Sequence, residues 1–169
     1  MDRARVDPAG LLADLVGLIR EAGRQVMQVY RSDFDVQSKA DESPVTAADR
    51  LAERVILAGL RRRTPGLPIV AEESAAAGPL PDAGDRFWLV DPVDGTREFV
   101  QRNGEFTVNV ALIDRGRPVL GLVLAPALGR LFCGAAGVGA WVEDGAGRRR
   151  PIATRPVPAD GLTVVGSRR

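Results

Sequence analysis

Apolar side chains recur at Leu11, Leu12, Leu15, Val16, Leu18, Ile19, Ala22, Val26 and Val29, the spacing of one buried helical stripe. Pro8 suits a helix's first turn, where its missing N–H would have no partner, and Asp7 can cap from before it. The pattern predicts an amphipathic helix over residues 8–30. Phe34 and Val36 alternate with polar neighbours and predict a short strand over 33–38, followed by a polar loop over 39–44. Thr46 precedes Ala47, Ala48 and Asp49, an arrangement like a capping box with Asp in place of Glu. A second helix is expected over 47–63, burying Leu51, Val55, Leu57 and Leu60 until Thr64, Pro65 and Gly66 end it.

The period then shortens. Residues 67–71 read as a short strand that delivers Glu72 and Glu73, and the Ala-, Gly- and Pro-rich residues 74–85 read as a mobile surface loop. The run 87–90 reads as a buried strand carrying Asp91 at its end, where Pro92 blocks simple continuation. Asp94 follows, and Gly95 and Thr96 open what reads as a helix. Phe106, Val108, Val110 and Leu112 alternate with smaller or polar residues, and a further strand over 119–124 is joined to them by the turn at Asp114, Arg115 and Gly116. Residues 130–133, 139–142 and 162–165 complete the strands, with a turn at Asp144 and Gly145. The order is helix, strand, helix, strand, strand, then a meander. It predicts an α+β domain in which two long helices pack on a largely antiparallel sheet.

Composition narrows the chemistry. The 169 residues suffice for one domain with a core, and 45% apolar content excludes disorder. Basic and acidic residues balance, 23 against 22, so bulk charge gives no reason to expect nucleic acid or a membrane surface as partner. Lys39 is the only lysine. There is no histidine, which excludes a Ser-His-Asp triad, a histidine base and histidine metal ligands. The single Cys133, after Leu131 and Phe132, can form no internal disulfide or zinc–thiolate site and reads as a buried structural thiol. Carboxylates, hydroxyls, arginines and backbone remain, and oxygen ligands select Mg²⁺, Mn²⁺ or Ca²⁺. No window approaches a transmembrane span and no signal-peptide hydrophobic region opens the chain. The chain reads as cytoplasmic, with no integral membrane segment; peripheral association with the inner membrane stays open.

Three places could carry that chemistry: Asp49 in the first turn of a helix, Glu72 and Glu73 at a strand end, and Asp91, Asp94 and Thr96 where a strand meets a helix. Taken singly, Asp49 is a capping acid, Glu72 and Glu73 a solvated loop, and Asp-x-x-Asp-Gly a turn or a fragment of a calcium loop. Taken together, four or five carboxylates would face one cavity and raise one another's pKa until cations relieved them. Two ions about 3.5–4 Å apart can clamp an in-line phosphoryl displacement. Thr96, oriented by Asp49, suits the attacking water, and the N–H groups of Gly95 and Thr96 suit the phosphate. The joint occurrence points to metal-assisted phosphate chemistry.

Residues 38–49, Ala71-Glu72-Glu73-Ser74, and 88–113 with the core Asp91-Pro92-Val93-Asp94-Gly95-Thr96 resemble the inositol monophosphatase superfamily of Mg²⁺-dependent, lithium-sensitive phosphatases. The pieces Arg97-Glu98-Phe99 and Arg102-Asn103-Gly104-Glu105-Phe106-Thr107 resemble its bacterial 3′(2′),5′-bisphosphate nucleotidase branch. The resemblance implies that Glu72, Asp91 and the carbonyl of Val93 bind one metal ion, and that Asp91 and Asp94 bind another. It implies Asp49 and Thr96 as the catalytic pair that positions water. Glu72, Asp91, Val93, Asp94, Gly95 and Thr96 would then form the substrate site, with Glu73 behind the ligands.

The implied cofactor is Mg²⁺, as two or three ions, with Mn²⁺ as a substitute. The implied substrate is the small molecule adenosine 3′,5′-bisphosphate, hydrolysed to AMP and phosphate, which removes a by-product of sulfate assimilation. An inositol monophosphatase, a sugar phosphatase and a non-catalytic fragment are the alternatives, and oligomeric state is open. Family members carry a second α/β domain with a Trp-Asp motif whose aspartate completes the second metal site. Neither Trp88 nor Trp141 is followed by Asp. Residues 1–160 are therefore expected to form the metal- and phosphate-binding α+β domain and 161–169 to begin the second, truncated one. Activity without that aspartate is an open point.

Overall fold

Helix α1 spans Pro8–Arg31 in a computed structural model of the protein, which describes residues 8–32, 44–79, 81–164 and 166. Asp7, Lys39 and the strand expected over 33–38 lie outside the described residues. The apolar stripe of α1 is buried as expected, with Val29 half-buried at its end. Helix α2 spans Pro44–Arg63 and starts three residues earlier than expected, because Pro44 itself takes the first helical position. Its deepest face is Ala48, Ala52, Ile56 and Leu60, while Leu51, Val55 and Leu57 are only half-buried. Small residues let the helices approach: a Cβ at Gly59 would meet Leu18 Cδ1 at 2.3 Å.

Among the described residues seven strands form one sheet in chain order: β1 Ile69–Ala71, β2 Arg86–Asp94, β3 Thr107–Asp114, β4 Arg117–Ala125, β5 Arg130–Ala135, β6 Gly139–Glu143 and β7 Arg149–Pro151. Only β1 and β2 run parallel; every other neighbouring pair is antiparallel. The α+β reading therefore holds. Both long helices cover one face, where Trp88, Val90, Val108, Val110, Leu112, Leu120, Leu122 and the buried thiol of Cys133 meet them. The opposite face leaves Leu89, Val123 and Phe132 exposed.

Three expectations are corrected and one strand is added. The stretch read as a loop from residue 74 begins inside helix α3, Glu72–Ala77, because a run of alanines costs little to wind. Strand β2 continues through Pro92 to Asp94, because the ladder is interrupted there by a bulge that needs no proline N–H. Strand β7 has no apolar alternation to announce it; all of its residues are exposed. Residues 161–164 form no strand, since Leu162 and Val164 are 82% and 88% exposed with no face to bury.

Candidate metal centre

Strands β1 and β2 pair in parallel with Ala71 opposite Val90, so the residues that follow, Glu72 and Asp91, lie side by side. Helix α2 brings Asp49 and Glu53 to the same place from one face, four residues apart. Asp49 is 4% exposed and lies in the second turn of α2, not the first. Glu53, 6% exposed, accepts from the backbone N–H of Glu73 at 3.1 Å and from Ser74 Oγ. Ala71 offers α3 no side-chain cap, so Glu53 caps that helix from across the fold.

The bulge in β2 decides the geometry. Asp91 pairs with Asn109 and Asp94 with Thr107, so three steps on β2 match two on β3. In a regular strand, residues three apart point to opposite faces. The extra residue restores the parity, and Asp91 and Asp94 fall on one side of the sheet. Asn109 Nδ2 donates to Asp94 Oδ2 at 3.2 Å, which fixes that carboxylate beside its neighbour. Val93, between them, is buried at 3% exposure.

The electrostatics follow from this crowding. Burial, then the charges of Glu73, Glu72, Asp91 and Glu53, push the Asp49 carboxyl up to about 7. Burial, Glu72 and Asp94 push Asp91 up to about 7, a hydrogen bond that the protonated Asp91 donates to Glu72 adds to this, and the backbone N–H of Val93 opposes it. Glu73 is raised by burial, Glu53 and Glu72, against Arg50. Asp91 Oδ1 and Asn109 Oδ1 are buried with no hydrogen-bond partner. Orphaned oxygens in a concentration of negative charge fit a hard divalent cation. Among the described residues no three acids already stand together as a metal cage. Uncompensated carboxylates repel, and these couple across the strand ends without collapsing on one point.

Gly95 turns the chain from β2 into helix α4, Thr96–Val100, with φ of 96°. A Cβ there would meet Glu105 O at 3.1 Å and Phe106 Cα at 3.3 Å, so both dihedral and space call for glycine. The segment folds back on itself: Phe99 N donates to Gly95 O at 2.9 Å, and the rings of Phe99 and Phe106 pack on Tyr30 with centroids 5.2 and 4.8 Å away. Arg102 Nη1 and Nη2 donate to the carbonyls of Tyr30 and Ser32, each at 2.8 Å, at the end of α1.

The structure thus brings Asp49 into electrostatic reach of Glu72 and Asp91, and Asp91 into reach of Glu72 and Asp94, with Val93, Gly95 and Thr96 adjoining in sequence. No hydrogen bond joins Asp49 to Thr96; Asp49 is buried among the other acids, and Thr96 is exposed at the start of α4. Sequence reasoning missed Glu53, Asn109 and Arg102 as supporting residues. Helical spacing from Asp49 could have found the first, and a polar residue on the core strand β3 the second. Nothing local announces the third, whose partners lie 70 and 72 residues away.

The family model described as the inositol monophosphatase family matches residues 7–168. The 3′(2′),5′-bisphosphate nucleotidase CysQ of Escherichia coli K12 is 49% identical over 147 residues, 86% of this chain and 59% of the relative. CysQ of Buchnera aphidicola is 36% identical over 156 residues, 91% of this chain and 58% of the relative. Among solved structures, CysQ from Bacteroides thetaiotaomicron superposes with a TM-score of 0.69 at 29% identity, covering 97% of this chain and 61% of its own. SuhB of Mycobacterium tuberculosis superposes with 0.71 at 30%, covering 90% and 54%. The chain spans about three fifths of the length of the curated relatives it matches.

Proposed function

The chain belongs to the inositol monophosphatase family, and from that premise we propose that it carries the metal and phosphate site of a phosphatase acting on the 3′-phosphate of adenosine 3′,5′-bisphosphate, yielding AMP and phosphate. The observation that supports this most is the electrostatic contact of Asp91 with Glu72 and Asp94 at the ends of β1 and β2, with Asp49 of α2 in reach of Glu72 and Asp91. The nucleotidase name of the E. coli relative at 49% identity supports the substrate. Residues 1–160 are proposed as the metal- and phosphate-binding domain and 161–169 as the start of a second one. The described helices and strands, which all lie within residues 8–151, are compatible with that division. Among the described residues no helix is long and apolar enough to cross a membrane; the cytoplasm is the proposed location.

Glu72, Asp91 and the carbonyl of Val93 would hold one divalent ion, and Asp91 and Asp94 another. Mg²⁺ is proposed as the ion, with two or three in place during turnover and Mn²⁺ as a substitute. Bound there, such ions supply Lewis acidity toward phosphoryl oxygens and water. Asp49 and Thr96 would together position the attacking water and accept its proton. The backbone N–H groups of Gly95 and Thr96 hold phosphate oxygens. Asn109 keeps Asp94 aimed and Glu53 keeps the start of α3 in place.

Phosphate release from adenosine 3′,5′-bisphosphate, with and without Mg²⁺ and lithium, tests the reading. Release that depends on Mg²⁺, is inhibited by lithium and drops at least about a hundredfold in Asp94→Asn is expected. Unchanged turnover in that variant would overturn the metal-site assignment. The superposition on inositol monophosphatase from Anabaena, with a TM-score of 0.66 at 28% identity, keeps an inositol phosphate as the second reading. Faster release from inositol 1-phosphate would favour it.

A further inference from the structure

Helix α3 has little of its own to hold it. It is six residues long, Glu-Glu-Ser-Ala-Ala-Ala, with no large apolar side chain to anchor it in the core. A helix so short is marginal by itself in water. Ala71 gives no side-chain cap at its start, and Gly78 at its end is extended, not left-handed. Yet its first residue is Glu72, one of the acids proposed to hold a metal ion.

Helix α2 supplies what α3 lacks. Ala48, Ala52, Ile56 and Leu60 seat α2 in the core, so it is the firm partner of the two. Glu53 is buried between them and turns both carboxylate oxygens on α3: Oε2 accepts from the N–H of Glu73 at 3.1 Å, and Oε1 accepts from Ser74 Oγ. That N–H is one of the four at a helix start with no partner inside the helix. Asp49 stands one turn before Glu53 on α2. One element therefore carries both the acid proposed to position water and the anchor of the turn that bears Glu72.

We propose that Glu53 is a positioning residue of the phosphatase centre proposed above, on which this role rests: by clamping the first turn of α3 to α2 it sets the place of Glu72 beside Asp91. The clamp needs an acceptor for the Glu73 N–H and a partner for the Ser74 hydroxyl; it does not need a charge. Glutamine keeps an oxygen for that N–H, and its Nε2 can donate to Ser74 Oγ once the hydroxyl turns to accept. Leucine keeps the bulk and offers neither, which leaves a helix-start N–H without its acceptor.

The test is titration of Mn²⁺ alone, without nucleotide, into the 169-residue chain, with free ion counted by electron paramagnetic resonance, beside amide exchange at Glu73 in the metal-free protein. Glu53→Leu should weaken Mn²⁺ binding by about tenfold or more and speed exchange of the Glu73 amide. Glu53→Gln should recover most of both. Ser74→Ala removes one arm of the clamp while adding a better helix former. It should still weaken Mn²⁺ binding, by less than Glu53→Leu, whereas a role in helix stability alone predicts no loss; this variant also decides the matter if Glu53→Leu does not fold. Equal Mn²⁺ affinity in the glutamine and leucine variants would overturn the proposal, since charge and not the clamp would then matter. So would Glu73 exchange unmoved in Glu53→Leu. Asp94→Asn separates the two claims. Mn²⁺ affinity that survives there overturns the metal-centre reading itself, while affinity lost there but kept in Glu53→Leu overturns only the role of Glu53.

Discussion

Asn109 Nδ2 donates to Asp94 Oδ2, yet in the ladder Asn109 stands opposite Asp91. One amide therefore stands opposite the first aspartate in the ladder and reaches diagonally across the bulge to hold the second. Ligand carboxylates depend on such outer contacts for their aim, and losing one typically costs 10–100-fold in metal affinity or activity. Asn109→Ala should lower the apparent Mg²⁺ affinity of phosphate release by about tenfold or more with little change in melting temperature. An unaltered Mg²⁺ dependence would show that Asp94 needs no help.

Stability of the metal-free protein should fall as pH rises through neutrality. Asp49 and Asp91 move from an ordinary 3.8 to about 7 in the folded chain. Between those values the folded chain holds protons that the unfolded chain has released, so the folded state is favoured at the acid side of the window and loses that advantage as pH approaches 7. Urea midpoints measured with a chelator should be higher near about pH 5 than near about pH 8. Millimolar Mg²⁺ should remove most of the difference by taking the protons' place.

Gly95→Ala should be costly. The φ of 96° is unfavourable for any side chain, and the new Cβ would press on Glu105 O at 3.1 Å. Strain of this kind costs about 1–3 kcal/mol, visible as a lower melting temperature. Because Gly95 separates Asp94 from Thr96, phosphate release should drop by more than the stability loss explains.

Arg102 holds the 95–106 turn to the end of α1 with a forked guanidinium. Arg102→Ala should destabilise by about 1–2 kcal/mol, the low end of hydrogen bonds to a charged group because the site is exposed. A lysine cannot span two carbonyls in the same plane. Arg102→Lys should therefore recover only part of the loss in thermal unfolding. Full recovery would mean that charge at the helix C-terminus, and not the fork, holds the turn.

Trp88 is fully buried and donates from Nε1 to Thr64 Oγ1 at 2.9 Å, which in turn donates to the Leu60 carbonyl at 3.0 Å. Thr64→Val should leave the indole N–H without an acceptor, at about 1–3 kcal/mol. Thr64→Ser should restore most of it. Equal unfolding midpoints for the two variants would contradict this.

The parts of the fold written in short-range periodicity were legible. The α1 stripe and the alternation along β3 need only neighbours within one or two turns to declare themselves. Two of the acids fall at element ends, Glu72 at the start of α3 and Asp94 at the end of β2, while Asp91 lies inside β2 beside the bulge. Their support was not legible. Glu53 meets Glu73 across 20 residues and Asn109 meets Asp94 across 15, and neither span leaves a local mark. Pro92 misled in the other direction, since a proline reads as a strand stop unless the bulge that tolerates it is known.

The order of letters by itself determined the two long helices and the strands of the central meander, that no histidine chemistry is available, and that oxygen donors must do the work. Those are properties of single residues and their near neighbours. Only the tertiary structure decided that Asp91 and Asp94 share one side of β2 and that Asp49 is buried beside them. It alone decided that Glu53 of α2 meets the first turn of α3. Side-chain direction in a sheet depends on register, and register is a relation between strands that no single strand contains.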